Sequence, residues 1–253
     1  MVDPGKKKYK NNYLTQVICQ FAFDKNEAIV AQSLKEFKDS LGEDYSTLSS
    51  VVQQGIIIED NGSDITTERD QTTIWEIQST KGDHKITINQ QSLAITFTEF
   101  TIFSGPITVI ESIHSLFFAK FNNVQSITRL GLRYINQIKI DEPKVDWSKY
   151  LAPELTDSFK FEGAEKIRRS MHSMIFIEDD DLAVNFNYGV YNRYFPAPIS
   201  ENEFILDLDA YTPYSIEVEN PVERLKKFSK ALAIYFEKSI TEDLRQTMEV
   251  IDE

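Results

Sequence analysis

Residues 127–140 read ITRLGLRYINQIKI. Leu130, Leu132, Tyr134 and Ile138 fall on one side of an alternating pattern, and Arg129, Gly131 and Arg133 fall on the other. Asn136 interrupts the apolar side and needs a hydrogen-bond partner if it is buried. A strand this long, starting directly after an amphipathic helix, opens the second half of the chain.

Working outward, the upstream helix starts near Pro106, a favoured first-turn position, and carries the stripe Ile110, Ile113, Phe117 and Phe121. Asn220-Pro221-Val222-Glu223 is a second helix start, with an Asn cap. Its stripe is Leu225, Phe228, Leu232, Phe236 and Ile240, and the pattern runs to about Met248. An offset of 115 residues lays Pro106 on Pro221 and pairs the first four apolar positions of each stripe. Before the first helix, YLTQVICQFAF (13–23) reads as a strand, followed by a helix from Asn26 to about Leu41 that Gly42 ends. VVQQGIIIED and IWEIQ read as strands around an exposed loop spanning residues 61–72, and KITIN and LAITFTEF form a hairpin. In the second half, a short helix around residues 147–157 is interrupted by Pro153. RRSMHSMIFIE and LAVNFNYGVYN flank the turn Asp179-Asp180-Asp181, and FILDLDAY is a further strand.

These elements predict an α+β fold of two tandem β-α-β(3–4)-α repeats. Residues 1–12 form a basic tail, 13–125 the first repeat and 126–248 the second. Each repeat carries an antiparallel sheet with a long helix across one face, an order similar to TATA-binding-protein-like and helix-grip folds.

Composition limits the function classes. The 253 residues are 41% apolar and include 17 Phe, 11 Tyr and 2 Trp, enough for a substantial core. A net charge of −13 disfavours non-specific binding to nucleic acid or to anionic membranes. The lone Cys19 excludes an internal disulfide and alternates with Val17 and Phe21 as a core residue. No apolar run approaches the length of a membrane span, and the N-terminus lacks a signal core, so the expectation is a cytoplasmic protein.

Two constellations point to chemistry. Arg129 and Arg133, read as guanidinium groups about 7 Å apart along a strand, form an anion clamp, with Tyr134 and Asn136 as neighbouring ligand contacts. The competing reading pairs both arginines with structural carboxylates. Asp207 and Asp209, two residues apart on one face of FILDLDAY, suit a divalent metal in phosphoryl or nucleotidyl transfer. No phosphate-cradling turn accompanies them, and pairing with Arg129 and Arg133 explains them equally well. His84, His114 and His172 are scattered, and His114 lies beside a helix stripe as a packed core residue. No catalytic triad or cofactor motif is visible, so no cofactor is expected.

Arg129–Asn136 (RLGLRYIN), the strand at 13–23, Trp147-Ser148-Lys149-Tyr150-Leu151, the LDLDAY segment and the ending from Phe236 to Leu244 resemble a sporadically distributed prokaryotic protein family of unknown function. The family usually has a proline in its opening segment, where this chain has Asn12-Tyr13-Leu14. Its scattered occurrence implies carriage on mobile elements, which is compatible with a role in defence or in a toxin–antitoxin pair, and it assigns no catalytic residue. The leading expectation is a non-catalytic binding module for a protein partner or a small anionic ligand, acting as a sensor or scaffold. The alternatives are a metal-dependent transferase or nuclease on Asp207 and Asp209, and a structural homo-oligomer.

Overall fold

A computed structural model describes residues 8–60, 65–98 and 104–251. In chain order the strands are β1 (Lys8–Tyr9), β2 (Leu14–Ala22), β3 (Tyr45–Asp60), β4 (Ile65–Ser79), β5 (His84–Asn89), β6 (Ser92–Phe97), β7 (Ser126–Ile127), β8 (Arg129–Lys139), β9 (Ser170–Asp179), β10 (Leu182–Val190), β11 (Glu203–Tyr211), β12 (Ile216–Glu217) and β13 (Val250–Ile251). The α-helices are α1 (Ala31–Ser40), α2 (Ser104–Lys120), α3 (Trp147–Tyr150), α4 (Pro153–Thr156), α5 (Val222–Ser239) and α6 (Glu242–Met248).

Nine strands form one antiparallel sheet in the order β3-β4-β5-β6-β2-β8-β11-β10-β9. This corrects the expectation of two tandem repeats, each with its own sheet. The joint is the β2–β8 ladder, in which Val17 faces Tyr134, Cys19 faces Leu132 and Phe21 faces Leu130. The long strand that opens the second half therefore pairs with the first strand of the first half, and a single sheet results. The offset between the two helix stripes was no guide, because any two helices with apolar residues every three or four positions align in this way. The stretches before them differ too: α1 has ten residues, whereas α3 and α4 are single turns.

The two faces of the sheet have opposite characters. The apolar sides of the strands meet the helices. Cys19, Phe21, Leu93, Ile95, Leu132, Leu206, Leu208 and Val184 are fully buried there, against Phe117 of α2 and Leu225, Phe228 and Leu232 of α5. Phe117 sits among Phe23, Phe37, Phe118 and Phe121, tying α1 and α2 to β2. The other side of the same strands presents Gln20, Arg129, Arg133, Asp207, Asp209, Asn185 and Asn187. We call it the open face.

Several local expectations change. Residues 65–72, read as loop, belong to β4, whose pairing with β3 runs from Tyr45↔Ser79 to Asp60↔Ile65. The Asn61-Gly62 turn lies outside the described residues. Asn26 does not cap α1; it closes a turn by accepting from the Ala28 N–H at 3.0 Å, and Val30 stands at the cap. Gly42, at φ +85°, follows the helix as expected. The final helix breaks at Ile240, which is extended, and Thr241 caps α6. Asn220 does accept from the Val222 N–H at 2.9 Å. Lys8 and Tyr9 pair with Val250 and Ile251, so this part of the segment read as a basic tail joins a strand pair; Lys6 and Lys7 lie outside the described residues. No helix among the described residues is long and apolar enough to cross a membrane.

Candidate functional site

Alternation in β8 sends Arg129, Gly131, Arg133, Ile135 and Gln137 to the open face. In β11 the same alternation sends Tyr211, Asp209, Asp207, Ile205 and Glu203 there, with Asp209 opposite Arg133 and Asp207 opposite Ile135. Both charge pairs read from the sequence are therefore neighbours. Arg133 holds Asp207 with two bonds, from Nε and Nη2, each 2.6 Å long. Arg129 donates to Asp209 at 2.6 Å and to Gln20 at 3.2 Å, and its guanidinium lies 4.7 Å from the centre of the Tyr211 ring. Gly131 makes this possible, because a Cβ there would lie 2.3 Å from an Arg129 nitrogen.

The two arginines do not clamp one anion. Four residues of strand separate their Cα atoms by about 13 Å, not the 7 Å expected above, and each guanidinium turns to its own aspartate. Burial raises the Asp209 carboxyl above the usual aspartate range, against the pull of Arg129. The bond to Asp207 raises Arg133 further. Both carboxylates read as metal ligands are thus occupied by arginines. Among the described residues no group of three or more His, Cys, Asp or Glu side chains is arranged to hold a metal.

Tyr134 and Asn136 do not join this site. They point to the helix side, where Tyr134 donates to Ser229 on α5 at 2.9 Å and burial pushes its phenol up. Asn136 is buried and donates to the Leu206 carbonyl at 3.2 Å. That bond supplies the partner its place among apolar residues required.

A cavity of about 730 Å³ opens on this face toward the β9 end of the sheet. Its floor is Arg133, Ile135 and Gln137 from β8, Asp207, Ile205 and Glu203 from β11, and Asn187 from β10. Met171, His172 and Ser173 of β9 form one wall, with Tyr191 and Arg193 beyond the end of β10. Glu203 is half-buried, with its Oε2 enclosed between two cations: Lys139 at 3.1 Å and Arg193 at 3.6 Å from an atom that no aligned hydrogen bond satisfies. Arg193 reaches Glu201 at 3.6 Å as well. Both contacts exceed hydrogen-bond length, which leaves Arg193 the less committed of the two cavity arginines. Sequence reasoning missed Arg193, Glu203, Ile205 and Tyr191, and only the placement of Ile205 and Glu203 two and four positions from Asp207 hinted at them.

No protein-family model matches the chain, and no curated protein matches it significantly.

The remaining sequence candidates are structural. Cys19 is fully buried, and burial raises its thiol far above the range of a reactive cysteine. Asp179 and Asp181 of the acidic turn are held by Lys227, and Arg224 reaches Asp181 at 3.0 Å. His84 bonds Tyr45 at 2.8 Å and Asp83 at 2.7 Å. His172 stacks on Tyr188 at the sheet edge, 5.0 Å between ring centres.

Proposed function

We propose that this protein is a non-catalytic binding module whose ligand is a small organic anion with an apolar body, held in the open-face cavity. The observation that carries this reading is the cavity's composition. An under-committed arginine, Arg193, stands beside an apolar surface made by Ile135 and Ile205 of the floor and Met171 of the wall. The anionic group meets Arg193 and the free edge of Arg133, and the apolar body lies along the floor. Arg133 is the weaker anchor, because Asp207 already takes two of its donors. The resemblance carried by Arg129–Asn136 supports, as part of the same proposal, a sensor or scaffold role in a defence system carried on mobile elements.

The test uses an aromatic sulfonate dye, 1-anilinonaphthalene-8-sulfonate, whose fluorescence rises in an apolar site. Arg193→Ala is expected to weaken binding by about 10-fold or more, the worth of a charge-assisted hydrogen bond. Arg133→Ala is expected to weaken it less, with an unchanged circular dichroism spectrum in both variants. Arg224→Ala, far from the cavity, serves as the control. Equal affinity in the parent and in Arg193→Ala would remove the cavity from consideration.

A further inference from the structure

The open-face cavity holds two side chains whose hydrogen bonds are unmade. Asn187 and Gln137 are half-buried on its floor, and neither carboxamide has a partner among the described residues. Each offers two donors and an acceptor, and leaving such a group partly desolvated and unpaired is costly. Register shapes the floor around them. Ile205, Gly189 and Met171 lie abreast on β11, β10 and β9. Gly189 has no side chain, so a gap of two strand spacings, roughly 9.5 Å, separates the two apolar residues. Asn187 stands two residues along β10 from that gap, about 7 Å away, and Gln137 stands beside Ile205 on β8.

The other end of the cavity, beyond β10, is positively charged. Lys139 and Arg193 flank the Oε2 of Glu203, and Arg193 also meets Glu201. Arg169 is a third cation. Its guanidinium lies 4.8 Å from the centre of the Tyr191 ring, which lines the cavity, and it faces no carboxylate among the described residues. Arg133 and Asp207 neutralise each other. The three cations and two carboxylates at this end therefore leave an excess of one positive charge.

We propose that the ligand of this cavity is a nucleoside monophosphate. The inference rests on the binding-module reading and gives its ligand a chemical class. The base lies over Gly189, between Ile205 and Met171. Its edge carries both donors and acceptors and meets the Asn187 carboxamide, the two-point pairing by which asparagine and glutamine read bases. Gln137 meets the ribose hydroxyls, and the phosphate meets Arg193 in a charge-assisted hydrogen bond. An aromatic anion without a hydrogen-bonding edge leaves both carboxamides unpaired. A sugar phosphate leaves the gap between Ile205 and Met171 empty. One excess positive charge suits one phosphate, and the net charge of −13 on the whole chain opposes a longer polyanion.

Displacement of the anilinonaphthalene sulfonate by adenosine, guanosine, cytidine and uridine monophosphates tests the proposal. The best of the four is expected to displace the dye at micromolar concentration. Its nucleoside and ribose 5-phosphate are each expected to bind at least about 10-fold more weakly. Calorimetry then follows the nucleotide directly on two variants, each with an unchanged circular dichroism spectrum. Asn187→Ala is expected to weaken the nucleotide about 10-fold and to leave ribose 5-phosphate unchanged. Arg193→Ala is expected to bring the nucleotide down to the level of its nucleoside. If no nucleotide displaces the dye below about 1 mM, the proposal is overturned. Should the dye still depend on Arg193 in that case, the binding-module reading stands without it. Ribose 5-phosphate binding as tightly as the nucleotide, or a single-stranded oligonucleotide binding more tightly, also overturns the proposal, because the ligand is then a sugar phosphate or a polymer. Dye binding that ignores Arg193→Ala sinks the cavity reading and this inference together.

Discussion

His114 shows how one buried side chain sets a pH dependence. It lies on α2 against Phe21 and Phe118, with ring centres 5.1 and 4.7 Å away, and its Nε2 has no hydrogen-bond partner. Burial holds its pKa down at about 4, while Glu111 pulls it weakly upward. The unfolded chain takes up this proton near pH 6.5, and the folded chain does so only near pH 4. Stability contributed by neutral His114 is therefore complete above about pH 6.5 and is lost as pH falls toward 4. Urea unfolding of the parent and of His114→Leu should show this as a difference: between neutral pH and about pH 4.5 the parent loses about 1–2 kcal/mol more than the variant. Parallel losses would mean that the imidazole titrates normally in the fold. The sequence made His114 legible as a core residue, because its place beside an apolar stripe is local information. Arg193 was not legible, because it belongs to no repeating pattern and gains meaning only from Glu201, Glu203 and the cavity floor that the sheet brings to it. Tyr134 and Asn136 were separable from the arginines by parity alone, yet adjacency in one motif grouped them with a site on the other face.

Within elements, glycines in the sheet differ in kind. Gly189 in β10 has φ +138°, which side chains rarely adopt, and a Cβ there would lie 1.9 Å from the Ser170 carbonyl oxygen of β9. That neighbour is backbone and cannot move without shifting the β9–β10 ladder. Gly131 in β8 would bring its Cβ against Arg129, but only against the far end of a flexible side chain. Gly189→Ala is therefore expected to cost about 2 kcal/mol or more, and Gly131→Ala less than about 1 kcal/mol, as the Arg129 guanidinium shifts on Asp209. Chemical denaturation of the two variants measures the contrast, and equal costs would refute this account of Gly189. Most strands were legible because period-two alternation is local: the hairpins at 84–97 and 170–190 stand where the pattern put them. Element ends were less so. The stripe of α5 passes through Ile240 without a break in periodicity, and the extended backbone there answers to the bridge between Leu151 and Ile240, a contact 89 residues away in sequence.

At the scale of the molecule, the assembly of strands into one sheet was not legible, because pairing between β2 and β8 is a long-range choice that neither strand's pattern encodes. Either strand could have ended a separate sheet with its apolar face equally buried. The observed order has a mechanical consequence. β2, β8 and β11 have a strand on each side and the helices over one face. β3 and β4 continue past the sheet: β5 pairs with β4 only over Trp75–Gln78, whereas the β3–β4 ladder runs on from Val51↔Ile74 to Asp60↔Ile65. That continuation is a two-stranded ribbon, and such a ribbon is marginal in water without a third strand or a packed face. Amide hydrogen exchange should therefore divide the sheet along its length. Hydrogen-bonded amides of residues 130–136 in β8 are expected to exchange only by global unfolding, and those of the ribbon about 100-fold faster or more, by local opening. Protection of the ribbon equal to that of β8 would mean that another surface covers it in solution.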